Sequence, residues 1–111
     1  MPEPIKFWDV SKRLDWFMMR AVSRKILERP AMLDEIRKVV EKYWGRDPSK
    51  GRSLRLWRET LTLSPREFAE IVMADTPRAE EIRESFPPYV ALSPEERLAV
   101  VSSSRLSVSA P

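Results

Sequence analysis

In its second half the chain sets a hydroxyl residue directly before a proline at Ser64-Pro65, Thr76-Pro77 and Ser93-Pro94. Proline fixes φ near the helical value and lacks an N–H, so it suits a helix's first turn, where that donor would be unpaired anyway. The preceding hydroxyl oxygen accepts from another orphan N–H of that turn. Glu67 and Glu96 stand three residues after Ser64 and Ser93, which completes two capping boxes and brings acid to the positive helix end. Thr76 has the proline but no acid at the box position. Such punctuation commits this half to short helices with tight joins. Their expected buried faces are Phe68, Ile71 and Val72, then Ile82 and Phe86, then Leu98 and Val101, and Pro87-Pro88-Tyr89 breaks the chain between the last two.

The first half reads as longer helices. From Asp9 to Glu28 the residues Val10, Leu14, Phe17, Met18 and Ala21 recur at spacings of three and four, which lines up one face. Asp9 or Ser11 is placed to cap the start. Arg29-Pro30 ends that helix and opens a second one, to Trp44, with Met32, Leu33, Ile36, Val39, Val40 and Tyr43 as its apolar stripe. Asp34 and Lys38 form an i,i+4 pair on its wet side. Gly45 is expected as a left-handed stop. Arg46 to Arg52 carries Pro, Ser and Gly and reads as a loop. A short helix from Ser53 to Leu61 follows, with Leu54, Trp57 and Leu61 on one side. Strict alternation is rare and hairpin turns are lacking, so no strand competes. The expectation is an all-α fold in a single domain of five to six short helices, an N-terminal helical hairpin followed by the capped short ones. Residues 1–8 are read as an N-terminal arm, 9–101 as the helical domain, and the Ser-rich 102–111 as a disordered tail.

Composition narrows the chemistry. The 111 residues contain no His and no Cys, and only two Gly, Gly45 and Gly51. The usual neutral-pH general base, the commonest metal ligands and thiol nucleophiles are therefore missing, and no phosphate-cradling glycine loop can be written. The expectation is a protein that is not an enzyme, with no cofactor, no metal site and no small-molecule substrate. No apolar run reaches the ~20 residues of a membrane span. Glu3, Lys6 and Asp9 interrupt the only apolar stretch at the start, so no signal peptide is expected and a cytoplasmic location follows. Charge is uneven. Residues 1–58 hold 15 Lys/Arg against 8 Asp/Glu, a net +7, and residues 59–111 hold 5 against 9, a net −4. A basic half implies an acidic partner, either nucleic acid or protein.

Two features point to such a partner. The first helix carries more large apolar residues than one stripe needs. Trp8, Trp16 and Met19 lie beside that stripe with Arg13 and Arg20, and are expected to fill an apolar groove on a protein partner while the arginines pair with acidic residues at its rim. The second is the basic stretch Arg46, Lys50, Arg52, Arg55 and Arg58, with Trp44 and Trp57 at its flanks. It is the alternative site, for nucleic acid. The acidic residues Glu80, Glu81, Glu84, Glu95 and Glu96 show no calcium-loop spacing and read as a solvated face plus helix-start acids.

From about Met19 to Val101 the order of motifs resembles small bacterial antitoxins of two-gene toxin–antitoxin operons. The resemblance is carried by Leu27-Glu28-Arg29-Pro30-Ala31-Met32-Leu33, then Leu56-Trp57-Arg58, then Phe68-Ala69-Glu70-Ile71-Val72 with Asp75 and Arg83. It ends on Glu84-Ser85-Phe86-Pro87 and Leu92-Ser93-Pro94-Glu95-Glu96-Arg97. The family pattern has Ser-Pro-Phe followed by Gly, where this chain has Ser85-Phe86-Pro87 and no Gly, and Met1 to Phe17 has no counterpart in it. The resemblance implies a non-catalytic protein that binds and neutralises a cognate toxin, with operator DNA as a second partner.

Overall fold

The computed structural model describes the backbone of residues 10–109 and the side chains of residues 11–104. Six α-helices follow one another: α1 (Val10–Glu28), α2 (Ala31–Trp44), α3 (Gly51–Leu61), α4 (Pro65–Val72), α5 (Pro77–Ser85) and α6 (Pro94–Ser109). Short 3-10 turns at Pro48–Lys50 and Pro88–Val90 precede α3 and α6. No strand occurs among the described residues, and none of their helices is long and apolar enough to cross a membrane. The N-terminal arm, with Phe7 and Trp8, lies outside the described residues.

The helix starts follow from local chemistry. The Ser64 hydroxyl accepts from the Glu67 N–H at 3.2 Å, and the Glu67 carboxylate accepts from the Ser64 N–H at 3.2 Å. Ser93 and Glu96 make the same exchange at 3.1 and 2.7 Å. Thr76 accepts from the Ala79 N–H at 3.1 Å. The loop before α3 is fixed similarly, with the Asp47 carboxylate accepting from the Ser49 N–H at 2.9 Å. Gly45 is not a left-handed stop. Its φ is −58°, and a Cβ placed there would lie 2.4 Å from the Glu41 carbonyl oxygen. Close approach to the preceding turn, not a positive φ, is what calls for glycine.

α1 is the central element. It packs chiefly on α4 and α6, then on α5, α2 and the turn at Pro88–Val90, whereas α2 packs chiefly on α3. Met19, Val22 and Ile26 of α1 are buried. They meet Leu33, Ile36 and Val40 of α2, Leu54, Trp57 and Leu61 of α3, Phe68 and Val72 of α4, and Ile82 and Phe86 around α5 in one core. Each such side chain adds roughly 1.5–3 kcal/mol on burial. Trp57 keeps its polar atom satisfied, donating from Nε1 to Ser85 Oγ at 3.1 Å.

The faces of four helices differ from expectation, since Tyr43 of α2 and Ile71 of α4 are exposed, and α1 and α6 turn other residues inward. On α1 the fully buried stripe is Met19, Val22, Ser23 and Ile26, while Leu14, Phe17, Met18 and Ala21 are only half-buried. Both stripes satisfy the helical period, because α1 is apolar around most of its circumference. On α6, Leu98 is 67% exposed, and the inward side runs through Glu96, Arg97, Val100, Val101 and Ser104. α6 continues past Val101 to Ser109, eight residues into the segment expected to be a disordered tail.

Candidate functional site

α1 presents two faces. The inner face goes to the core and takes Met19 with it. Met19 is 3% exposed and belongs to the packing of the free protein, not to a partner surface. The outer face carries Arg13, Trp16, Phe17, Arg20 and Arg24, at steps of three and four that place them on neighbouring turns. Trp16 and Phe17 meet edge to face, ring centroids 5.1 Å apart. The Arg20 guanidinium carbon sits 5.6 Å from the centroid of the Trp16 ring, within cation–π range. Beside this stripe α1 and α6 leave a hollow of about 200 Å³, lined by Phe17, Arg20, Ala21 and Arg24 from one helix and Ala99, Val100 and Ser103 from the other. Its floor is apolar and its α1 rim cationic. Three of the five residues expected to bind a partner, Arg13, Trp16 and Arg20, thus lie together. Phe17 and Arg24 join them; Phe17 fits the core period equally well and Arg24 is one basic residue among many, so neither stands out in the sequence.

The basic stretch is dispersed by comparison. Arg52 makes a two-pronged ion pair with Glu81 of α5, from Nε and, at 3.0 Å, from Nη2. Arg58 does the same with Glu41 of α2 at 2.6 and 2.8 Å, and also donates to the Gly45 carbonyl oxygen at 3.3 Å. Hydrogen bonds from these guanidinium groups hold the Glu81 and Glu41 carboxyls below their ordinary range. Arg46 and Arg55 are exposed and Lys50 is half-buried. Trp57 is 1% exposed, so it offers no surface to stack on.

The charge asymmetry has an internal explanation as well. Lys12 pairs with Glu80, Lys25 with Glu96 at 2.6 Å, and Arg52 with Glu81. In each pair a cation from the basic first half meets an acid from the second half of the same chain. Part of what reads in sequence as demand for an acidic partner is met within the fold.

Arg83 is a further charged residue with a structural task. It is 7% exposed, and its Nη1 donates to the carbonyl oxygens of Val72 at 2.8 Å and Ala74 at 2.9 Å, closing the end of α4. Burial pushes its pKa down, and the carboxylates of Glu80, Asp75, Asp15 and Glu84 oppose that shift. Among the described residues no group of three or more Asp or Glu is arranged to hold a metal ion. Comparison with protein-family models, with curated proteins and with solved structures finds no match to this chain.

Proposed function

We propose that this protein is a non-catalytic binding protein of the antitoxin type, and that the outer face of α1 docks an acidic segment of its cognate toxin. The observation that carries the reading is the stripe of Arg13, Trp16, Phe17, Arg20 and Arg24 beside the hollow between α1 and α6. Trp and Arg are the residues most often found to dominate binding energy at protein interfaces. A Trp held against an arginine offers a rigid apolar anchor, and the arginines have the fork geometry that pairs with carboxylates. The order of motifs set out above supports the antitoxin assignment. Operator DNA is the weaker second partner, because Arg52 and Arg58 already pair within the chain.

The test is co-purification with the product of the adjacent gene in its operon, together with rescue of cell growth when both are expressed. The double change Trp16→Ala with Arg20→Glu is expected to abolish complex formation and rescue while the helical circular dichroism spectrum is retained. Complex formation undiminished in that variant would move the interface off α1. Failure of the unaltered chain to bind its neighbour would end the antitoxin reading.

A further inference from the structure

Away from α1, the exposed aromatic side chains gather at the end of α2. Tyr43 is 65% exposed and Tyr89 is 55% exposed. Each has its ring centroid 6.0 Å from that of half-buried Trp44, at tilts of 57° and 66°. Trp44 rests in turn on buried Trp57 at 5.9 Å, and Trp57 on Phe86 at 6.0 Å. The outer rings are therefore held by a ladder of rings that reaches the core. Exposed apolar side chains elsewhere, such as Leu98 and Leu27, have no such anchoring and no aromatic face.

Cations accompany the rings. Lys42 Nζ lies 5.6 Å from the centroid of Tyr43, and the Arg97 guanidinium 5.9 Å from that of Tyr89. Arg46 shares an open hollow of about 540 Å³ with Lys42 and Tyr43. Two acids line the same hollow, and both are already engaged. Glu41 is bound by Arg58, and Asp47 accepts from the N–H and hydroxyl of Ser49. Asp47 keeps its charge, because Ser49 is a neutral donor, so Lys42, Arg46 and Arg58 against Glu41 and Asp47 leave one net positive charge at the hollow.

We propose that this face is a stacking platform for single-stranded nucleic acid. Unpaired bases lie on Tyr43 and Tyr89 with Trp44 between them in the ring contacts, and backbone phosphates meet Lys42, Arg46 and Arg97. Every base has a π-face, so stacking of this kind tolerates any sequence. A duplex keeps those faces covered by its own stack. Tyr43 and Tyr89 are each tilted against the Trp44 that stands between them in the ring contacts, so they do not form one continuous stack and the strand is held with its bases separated. The chemistry recognised, an unpaired base on a phosphodiester, is common to RNA and DNA. None of these residues belongs to the α1 face, and the inference does not rest on the toxin reading.

The experiment uses the full chain with fluorescently labelled oligo(dT) and oligo(U) of about a dozen nucleotides, a length within the range known for such sites. Duplex DNA of equal length and polyglutamate serve as competitors. Single strands are expected to bind and to quench tryptophan fluorescence, and neither competitor is expected to displace them. Tyr43→Ala with Tyr89→Ala should weaken binding about 10-fold per ring, while Tyr→Phe at both positions should leave it nearly intact. Log affinity against log salt should fall with a slope of about −2 for three phosphate contacts, and less steeply after Lys42→Gln with Arg46→Gln. Tighter binding of oligo(U) assigns the source to RNA, and tighter binding of oligo(dT) assigns it to DNA. No binding at low salt overturns the proposal. So does equal competition by duplex, displacement by polyglutamate at matched charge, or unchanged affinity in the folded Tyr→Ala variant.

Discussion

Arg83 places a full positive charge where water scarcely reaches, and three helices depend on how it is held. Its Nη1 serves two carbonyl oxygens at the end of α4 from a position on α5, and Asp15 of α1 is among the carboxylates that favour its charge. Removing one partner of a buried charged network strands the others, at a cost of about 3 kcal/mol or more. Arg83→Leu is expected to lower the unfolding free energy by that amount in urea titration, and Arg83→Lys to recover only part of it, because an ammonium lacks the planar fork. A variant as stable as the parent would show that water replaces the guanidinium. Little of this was legible beforehand. Arg83 stands in sequence among Glu80, Glu81 and Glu84 and looks like one more charge on a wet helix. Its burial depends on the path of the chain at Met73 to Thr76, which no local pattern records. Met19 was misplaced for a related reason. On a helix apolar nearly all round, period alone does not say which of two stripes faces inward.

At the scale of the helix, legibility divides sharply. The capping boxes of α4 and α6 were readable because every atom involved lies within four residues. The inward face of α6 was not, because it is set by where α1 runs. Glu96 joins the two cases. Its carboxylate accepts from the Ser93 N–H at 2.7 Å and from Lys25 Nζ at 2.6 Å, and Lys25 also donates to the Ala91 carbonyl oxygen at 2.9 Å. The hydrogen bond from Lys25, then that from the Ser93 N–H, holds the Glu96 carboxyl below its ordinary value of 4.5. A carboxyl whose pKa is lower folded than unfolded stabilises the fold above the unfolded value, and that contribution is lost as pH falls through the folded one. The melting temperature is therefore expected to drop as pH falls below about 4.5, with Glu41 and Glu81 acting in the same direction. Glu96→Gln should lower the melting temperature at pH 7 and make the acid-side decline shallower. A decline unchanged in that variant would assign it to the other carboxylates.

For the molecule as a whole, the all-helical single body was legible because hydroxyl–proline joins and helical periodicity agree along the chain. The proposed docking face was legible only in part, as Arg13, Trp16 and Arg20. The charge imbalance was visible but pointed outward, because sequence does not show that Lys12, Lys25 and Arg52 turn to acids more than 25 residues away. Those pairs make the protein its own counter-ion. Cleaved between α3 and α4, it would yield residues 1–63 with 15 Lys/Arg against 9 Asp/Glu, and residues 64–111 with 5 against 8. The pieces would carry net charges of +6 and −3, and each would hold part of one shared core. They are expected to reassemble, as judged by recovery of the helical spectrum on mixing. Their association should be fast in dilute buffer and slow once the Debye length shrinks to roughly 3 Å near 1 M salt. A rate indifferent to salt would mean that apolar surface alone guides the halves together. A rate that falls with salt would mean that the charge pattern acts in this chain as an address, written in one half and read by the other.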